Sequence, residues 1–512
     1  MAAKLGLLKA GKLEAFLGLA MTDTLIQTAS GPVRGRTDGS VRRFLGVPYA
    51  AAPVGERRFA SPVDPDPWAT PLDASEFGPT APQTVRAFPA LDLGPLIGAG
   101  WEPGDAFLNA NIWAPEGAAN APVMVFVHGG AFRAGSNRAT AYDGAGFARS
   151  GVVLVSINYR LGVEGFVAVD GAPSNLALRD IIQALRWVRT NAAAFGGDPE
   201  RVTVFGESAG AMLVADLLGS PAAQGLFRRA IIQSGHAGMV QTQSVARRAV
   251  RRIARALKIT PDLQGFRSRT AAESAAALET LSLPTARFDV RDANGFDPTA
   301  GLSRVLPVIG DDVLPRPPLE AVTDGASADV DVLIGTNAEE MNIYLVPTGV
   351  KAKLKGWMAW LVLSRSVRRA RALLKAYGLG RRPAGDALAD ALGDLVFRAP
   401  ARRLAAAHRG RTWMYEFDWR SPQFAGALGA CHALELPFVF NTLDSCRAEN
   451  GLLGPDGGPQ DLADRMHRLW VDFARDGALP WAQYDSETRA VRRLSADETV
   501  EEAPLPADAF LP

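Results

Sequence analysis

The chain is poor in cysteine: its 512 residues contain two, Cys431 and Cys446. Two thiols cannot build a disulfide framework, which excludes the small stapled secreted scaffolds and fits a reducing cytoplasm. Long apolar runs are missing as well. The most conspicuous, Trp357-Met-Ala-Trp-Leu-Val-Leu363, is far shorter than the ~18 residues that cross a bilayer, so no integral membrane protein is expected. Neither sign of charge is in excess, because 55 Lys and Arg stand against 54 Asp and Glu for a net charge of +1. That balance removes any general electrostatic case for nucleic acid or polyanion binding, and a substrate need not be charged. No repeat of fixed period and no low-complexity stretch is visible, so the chain reads as one continuous fold. Histidine is scarce, with five in all.

What is present points to an α/β architecture. From Val33 to about residue 340, short β-branched runs alternate with longer helical patterns, the signature of a mainly parallel sheet covered by helices on both faces. Strands are expected at 123–127, 152–157, 202–205, 230–233, 332–334 and 412–417. A helix is expected from Asn175 to Phe195, stopped by Gly196-Gly-Asp-Pro199. The rhythm breaks at about 345–400, a helical, basic stretch read as an inserted lid or regulatory subdomain. Its Trp357 and Trp360 allow two readings: a membrane-surface face flanked by lysines and arginines, or, preferred here, a helix that packs its aromatics over the catalytic face. At the N-terminus, Lys4, Lys9 and Lys12 precede Ala15-Phe-Leu-Gly-Leu-Ala20, which imitates a signal peptide poorly because Glu14 interrupts it. Residues 1–21 are therefore read as an extension, with Met21 an alternative start, and 22–512 as the main domain. The expected location is cytoplasmic, or secreted if residues 1–20 are a leader.

The chemistry centres on Gly206-Glu-Ser-Ala-Gly210, which follows Arg201-Val-Thr-Val-Phe205. A strand entering so tight a turn has the form of a nucleophile elbow: glycines on both sides let strand and helix pass closely while Ser208 is pushed outward. A serine hydroxyl needs a proton acceptor, a carboxylate to orient it and donors for an oxyanion. His128-Gly-Gly-Ala-Phe132, directly after a strand, has the form of an oxyanion loop, in which Gly129 and Gly130 offer backbone N–H groups and Ala209 supplies a third. His128 itself reads as a brace for that loop. His432, on a loop after the strand at 412–417, is the favoured base. His408 and His467 fall in helical patterns, and His236 borders the pocket without catalysing. For the acid, Glu340 and Glu339 both follow the strand at 332–334, and spacing does not separate them.

These segments together resemble a type-B carboxylesterase of the carboxylesterase/cholinesterase family, in the α/β-hydrolase superfamily. The resemblance covers most of residues 30–485. Its landmarks include Phe44-Leu-Gly-Val-Pro-Tyr-Ala50, Pro53-Val-Gly-Glu-Arg-Arg-Phe59, Asn158-Tyr-Arg-Leu-Gly162, Gln233-Ser-Gly235, Gly335-Thr-Asn-Ala-Glu-Glu340 and His432 with Glu435-Leu-Pro437. The resemblance implies Glu340 as the acid, a Ser208–Glu340–His432 triad, and ion pairs Arg160–Asp180 and Arg58–Asp105. The early disulfide loop of animal members is absent, so the segment from about Ala81 to Asp105 is expected to be held by packing of Phe88, Leu91 and Trp101. The implied activity is hydrolysis of a small-molecule carboxylic ester through an acyl-enzyme, without cofactor or metal. Two rivals remain at this level: a catalytically silent adhesion protein of the same fold, and the same machinery acting on amides, carbamates or thioesters.

Overall fold

A computed structural model describes residues 21–85, 90–283, 286 and 288–511. The N-terminal extension and Phe88 lie outside the described residues. One sheet of 13 strands organises the molecule. In chain order the strands are β1 (Thr22–Gln27), β2 (Pro32–Thr37), β3 (Val41–Pro48), β4 (Leu72–Asp73), β5 (Asn109–Pro115), β6 (Ala121–Val127), β7 (Val153–Ile157), β8 (Gly197–Glu207), β9 (Arg229–Gln233), β10 (Asp331–Asn337), β11 (Thr412–Phe417), β12 (Ala490–Arg493) and β13 (Glu498–Glu501). Their spatial order is β1-β2-β3-β5-β7-β6-β8-β9-β10-β11-β12-β13, with β4 beside β2. From β7 through β12 every pairing is parallel, and antiparallel strands close both edges.

The central strands are short and apolar because both of their faces are covered. Along β6, Val123, Val125 and Val127 enter one core layer while Met124 and Phe126 enter the other, the period-two division that a pleated strand imposes. The first layer is covered by helices α1 (Leu176–Asn191) and α2 (Ala209–Leu218). Residues 342–407 are largely helical and include α3 (Gly356–Leu363), α4 (Ala384–Gly393) and α5 (Ala399–Ala407), with a π-helical turn at Asp394–Arg398 joining α4 to α5. Helix α6 (Gln460–Asp476) packs Leu462, Met466, Trp470 and Phe473 into the second layer. The helix expected from Asn175 to Phe195 is α1 plus a 3-10 turn, Ala192–Phe195, ended at Gly196 with φ 85°.

Two expectations about the loops are corrected. Arg58 pairs with Glu164, at 2.6 and 2.9 Å, and not with Asp105, which is exposed. Glu164 lies in a buried turn, Gly162–Phe166, directly below the arginine fork, and a bidentate bond there outcompetes a carboxylate in solvent. In the 81–105 segment Leu91 and Leu96 are buried, but Trp101 is exposed; its anchors include Tyr142, whose hydroxyl donates to the Leu96 carbonyl at 2.5 Å, and Gln83, which bonds both backbone groups of Gly135. The aromatics of α3 are a third correction. Trp357 and Trp360 are 64% and 46% exposed, while Ala359 and Leu363 face the interior. Small Ala359 sets the close approach of α3 to its neighbours, which leaves the bulky indoles outside.

The expected Arg160–Asp180 pair is present and fully buried, with Asp180 accepting from the arginine Nε at 2.8 Å, Nη2 at 2.6 Å and the backbone N–H at 3.0 Å. Burial pushes the Asp180 carboxyl up even against the guanidinium, so desolvation consumes much of the Coulomb attraction. The pair therefore ties the loop after β7 to α1 more than it adds net stability. Removing one partner is another matter, because the other charge is then left buried. Asp180→Asn is expected to lower the free energy of unfolding by about 3–5 kcal/mol in urea titrations; a loss below about 1 kcal/mol would contradict the buried pair.

Candidate active site

Four strand ends converge at one edge of the sheet. At the end of β8 the chain turns sharply into α2, and Ser208 sits at the turn with φ 55° and ψ −126°, a conformation L-residues rarely adopt. Ser208 is held by its N–H donating to Gln233 O at 2.9 Å and its carbonyl accepting from Met212 N at 2.9 Å. Only glycine fits at 210: a Cβ there would lie 2.0 Å from Val127 O and 2.6 Å from His128 O. Ala209 is the first residue of α2, so its N–H has no intrahelical acceptor.

The loop after β6 lies against this turn. A Cβ on Gly129 would come within 3.1 Å of the Ser208 Cβ, and Gly130, at φ 118°, would drive one into Ala134 O. The sequence-expected donors Gly129, Gly130 and Ala209 thus belong to segments that border Ser208. His128 braces the loop: its ring stacks on Tyr159 at 4.6 Å, its Nδ1 lies 2.8 Å from Gly129 O, and burial lowers its pKa to about 4.

The loops after β10 and β11 bring in the remaining groups. His432 Nδ1 is 2.6 Å from Glu340 Oε2. The other Glu340 oxygen accepts from Ser234 Oγ at 2.7 Å and Asn337 N at 2.8 Å, which fixes the carboxylate plane. Glu339, one residue earlier, points away to Arg420 and accepts from Ala430 N. Glu435 completes a buried network by accepting from Asn337 Nδ2 at 2.7 Å and Gln233 Nε2 at 3.0 Å. The other three histidines are engaged elsewhere: His236 on Val396 O, His408 on Thr412 and Ser327, and His467 on Val439 O and Ser150.

Residues 22–506 match the carboxylesterase family. The chain belongs to that family. It is 34% identical to the para-nitrobenzyl esterase of Bacillus subtilis, over 94% of this chain and 97% of that one. It is 33% identical to the phenmedipham hydrolase of Pseudarthrobacter oxydans, over 92% and 95%. Among solved structures, the Geobacillus stearothermophilus carboxylesterase superposes with a TM-score of 0.77 at 33% identity, covering 94% of this chain and 98% of that one. The protein is thus a carboxylic ester hydrolase with the α/β-hydrolase fold.

One group in the esterase's site has no role in the sequence reading. Glu207, inside the elbow motif, places Oε1 3.0 Å from His432 Nε2. Its position beside the serine was legible, but its direction was not, because a strand residue can point to either face. Burial lifts Glu207 to about 8, with His432 opposing and Glu435 and Glu340 adding to the rise. Burial alone would depress His432, yet Glu207 and Glu340 override it and raise the imidazole to about 9. The contact is a close approach of charges and not a hydrogen bond, since neither Glu207 Oε1 nor His432 Nε2 has a hydrogen-bond partner among the described residues.

Ser208 itself lines a small crevice of about 20 Å³, walled by Phe132, Met212, Met239, Tyr344, Val396 and Phe397. That is room for roughly one water. Phe397 comes from the π-helical turn and also packs on the His432 ring at 4.6 Å. Larger cavities lie elsewhere, including one of about 260 Å³ behind Glu340.

The sign of the pH dependence follows. An imidazole that must accept a proton works only when neutral, so activity falls as pH drops through its raised pKa. The acid limb of kcat/KM is expected above the ~6.5 of a free imidazole. Glu207→Gln removes one of the two raising carboxylates and is expected to move that limb down by roughly one pH unit or more. An unmoved limb in a pH–rate profile would show that Glu207 does not govern the histidine.

Proposed function

We propose that the esterase works through an acyl-enzyme formed on Ser208. The Ser208 Oγ attacks the ester carbonyl carbon and passes its proton to His432 Nε2. Glu340 holds the imidazole by Nδ1 and balances the imidazolium charge, while the N–H groups of Gly129, Gly130 and Ala209 receive the oxyanion. Collapse of the tetrahedral adduct expels the alcohol, which takes the proton from His432. Water then attacks the acyl-enzyme by the same route in reverse, releasing the acid and restoring Ser208. The chemistry draws on protein groups alone.

The observation that carries this reading is the buried 2.6 Å contact between His432 Nδ1 and Glu340 Oε2. It fixes the tautomer and leaves Nε2 facing the elbow, whose Glu207 it meets. The mainly apolar wall around Ser208 favours a small neutral ester. A crevice of about 20 Å³ is smaller than an ester, so on this reading Phe397, Tyr344 or Met239 swings aside as substrate binds. Within the helical insertion at about 345–400, the turn Asp394–Arg398 acts on this reading as a roof over Ser208, in a catalytic domain of residues 22–512. A cytoplasmic location is favoured by Cys431 and Cys446, both buried as free thiols.

Ser208→Ala is expected to lower kcat on an aryl ester by roughly 10⁴- to 10⁶-fold, and to abolish labelling by a fluorophosphonate probe read by mass spectrometry. Retention of more than about a tenth of the activity would remove Ser208 from the mechanism, and with it this reading. Phe397→Ala is expected to raise kcat/KM for branched-acyl esters relative to acetates by about tenfold, since one added or missing methylene already changes such ratios 10- to 200-fold. An unchanged ratio across a graded acyl series would exclude Phe397 as the limit on acyl size.

A further inference from the structure

The described residues include ten exposed large apolar side chains, and five of them lie within residues 350–362: Val350, Trp357, Trp360, Leu361 and Val362. Trp357, Trp360 and Leu361 follow i, i+3, i+4 spacing, so they share one face of α3, turned to solvent. Ala359 and Leu363, also four apart, are fully buried and fix the rotation of the helix. This helix is apolar on both faces. A helix of that kind covers two apolar surroundings, and only one of them is the protein core.

The charge around it is as one-sided. Residues 341–385 contain ten Lys and Arg and no Asp or Glu, in a chain whose net charge is +1. Two of these cations are answered from the next helix, Lys351 by Asp386 at 3.2 Å and Arg382 by Asp390 at 2.8 Å. Arg368 donates to Ala293 O and Arg369 lies over the Phe510 ring. Among the described residues Lys353, Lys355, Arg371 and Lys375 have no ion pair, and all four are exposed. The cations flank the indoles on both sides in sequence, at 351–355 and 365–375.

We propose that α3 docks the esterase on an anionic lipid surface. Two tryptophans and a leucine enter the headgroup boundary, where an indole keeps its ring in apolar surroundings and its N–H near water. The flanking lysines and arginines pair with lipid phosphates. Charge complementarity chooses this occupant over a second copy of the chain, whose identical patch would bring the same unpaired Lys353, Lys355, Arg371 and Lys375 against these four. No helix of the described residues is long and apolar enough to cross a membrane, so the association is peripheral. The patch sits on the helical segment whose π-helical turn roofs Ser208: α3 packs on α4, and α4 runs into Asp394–Arg398.

The test uses the full chain in co-sedimentation with vesicles of phosphatidylcholine alone or mixed with phosphatidylglycerol. Binding to the mixed vesicles only, weakened by salt, is expected. The double variant Trp357→Ala/Trp360→Ala and the triple variant Lys353→Glu/Lys355→Glu/Arg371→Glu are each expected to lose about tenfold or more in partitioning. Both variants should turn over a soluble aryl ester without vesicles at the wild-type rate, which shows that they are folded and keeps this outcome separate from the fate of the Ser208 mechanism. Failure of the wild-type chain to bind mixed vesicles, or equal binding by the variants, overturns the proposal. So does sedimentation of a wild-type dimer that Trp357→Ala/Trp360→Ala dissolves without any vesicle binding, which would assign the face to a second copy.

Discussion

The constraint on which the site depends is the contact between the end of β6 and the first turn of α2. A Cβ at position 210 would lie 2.0 Å from Val127 O, and one at position 206 would lie 2.8 Å from the same oxygen. Strand and helix approach backbone to backbone, and the link from β8 into α2 runs through the strained conformation of Ser208. The strain persists because the surroundings over-determine it: the sheet on one side, Gln233 O on the other. Every other part of the site is placed relative to this turn. The loop after β6 must pass beside it, which is why Gly129 and Gly130 follow His128 there.

A second layer of organisation is electrostatic. Glu207, Glu340 and Glu435 are buried within one small region, with His432 between the first two. Three carboxylates taken out of water together are costly unless each has donors or a proton. Ser234 and Asn337 donate to Glu340, Asn337 and Gln233 donate to Glu435, and Glu207 has the imidazole of His432 beside it. Burial raises Glu207 and Glu435, whereas the imidazole is raised against its own burial by the charges of Glu207 and Glu340. The result is a histidine whose basicity is set by its neighbours and not by solvent.

The helical segment shows how packing can overrule a plausible local reading. Tryptophans in an apolar helix beside a catalytic face invite the conclusion that they roof it. In the structure the roof comes from Val396 and Phe397, in a π-helical turn of Asp394–Arg398, while the indoles of α3 face outward. Periodicity distinguishes the faces of a helix only when one of them is polar. In Trp357-Met-Ala-Trp-Leu-Val-Leu363 neither face is, and the contact of small Ala359 with its neighbours decides the rotation.

Much of the fold and of the candidate site was legible in the chain. The β-branched runs located the six expected strands, because strands buried on both faces must be almost wholly apolar. The glycine spacing around Ser208 announced a turn that no other residues could make. The short supply of histidine narrowed the base to few positions. What the chain withheld depends on direction rather than identity. Spacing left Glu339 and Glu340 equivalent, and adjacent side chains diverge into different surroundings only once the loop is folded: one meets Arg420, the other His432. Arg58 meets Glu164 and not Asp105 because the folded loops bring both Glu164 oxygens onto its fork, while Asp105 stays in solvent. Glu207 stood in plain view within the elbow, yet only the tertiary structure turned it onto the imidazole. Sequence by itself determined which groups exist and which backbone turns they require; the tertiary structure decided which of them meet, because pairing across the sheet edge depends on distances that no local pattern contains.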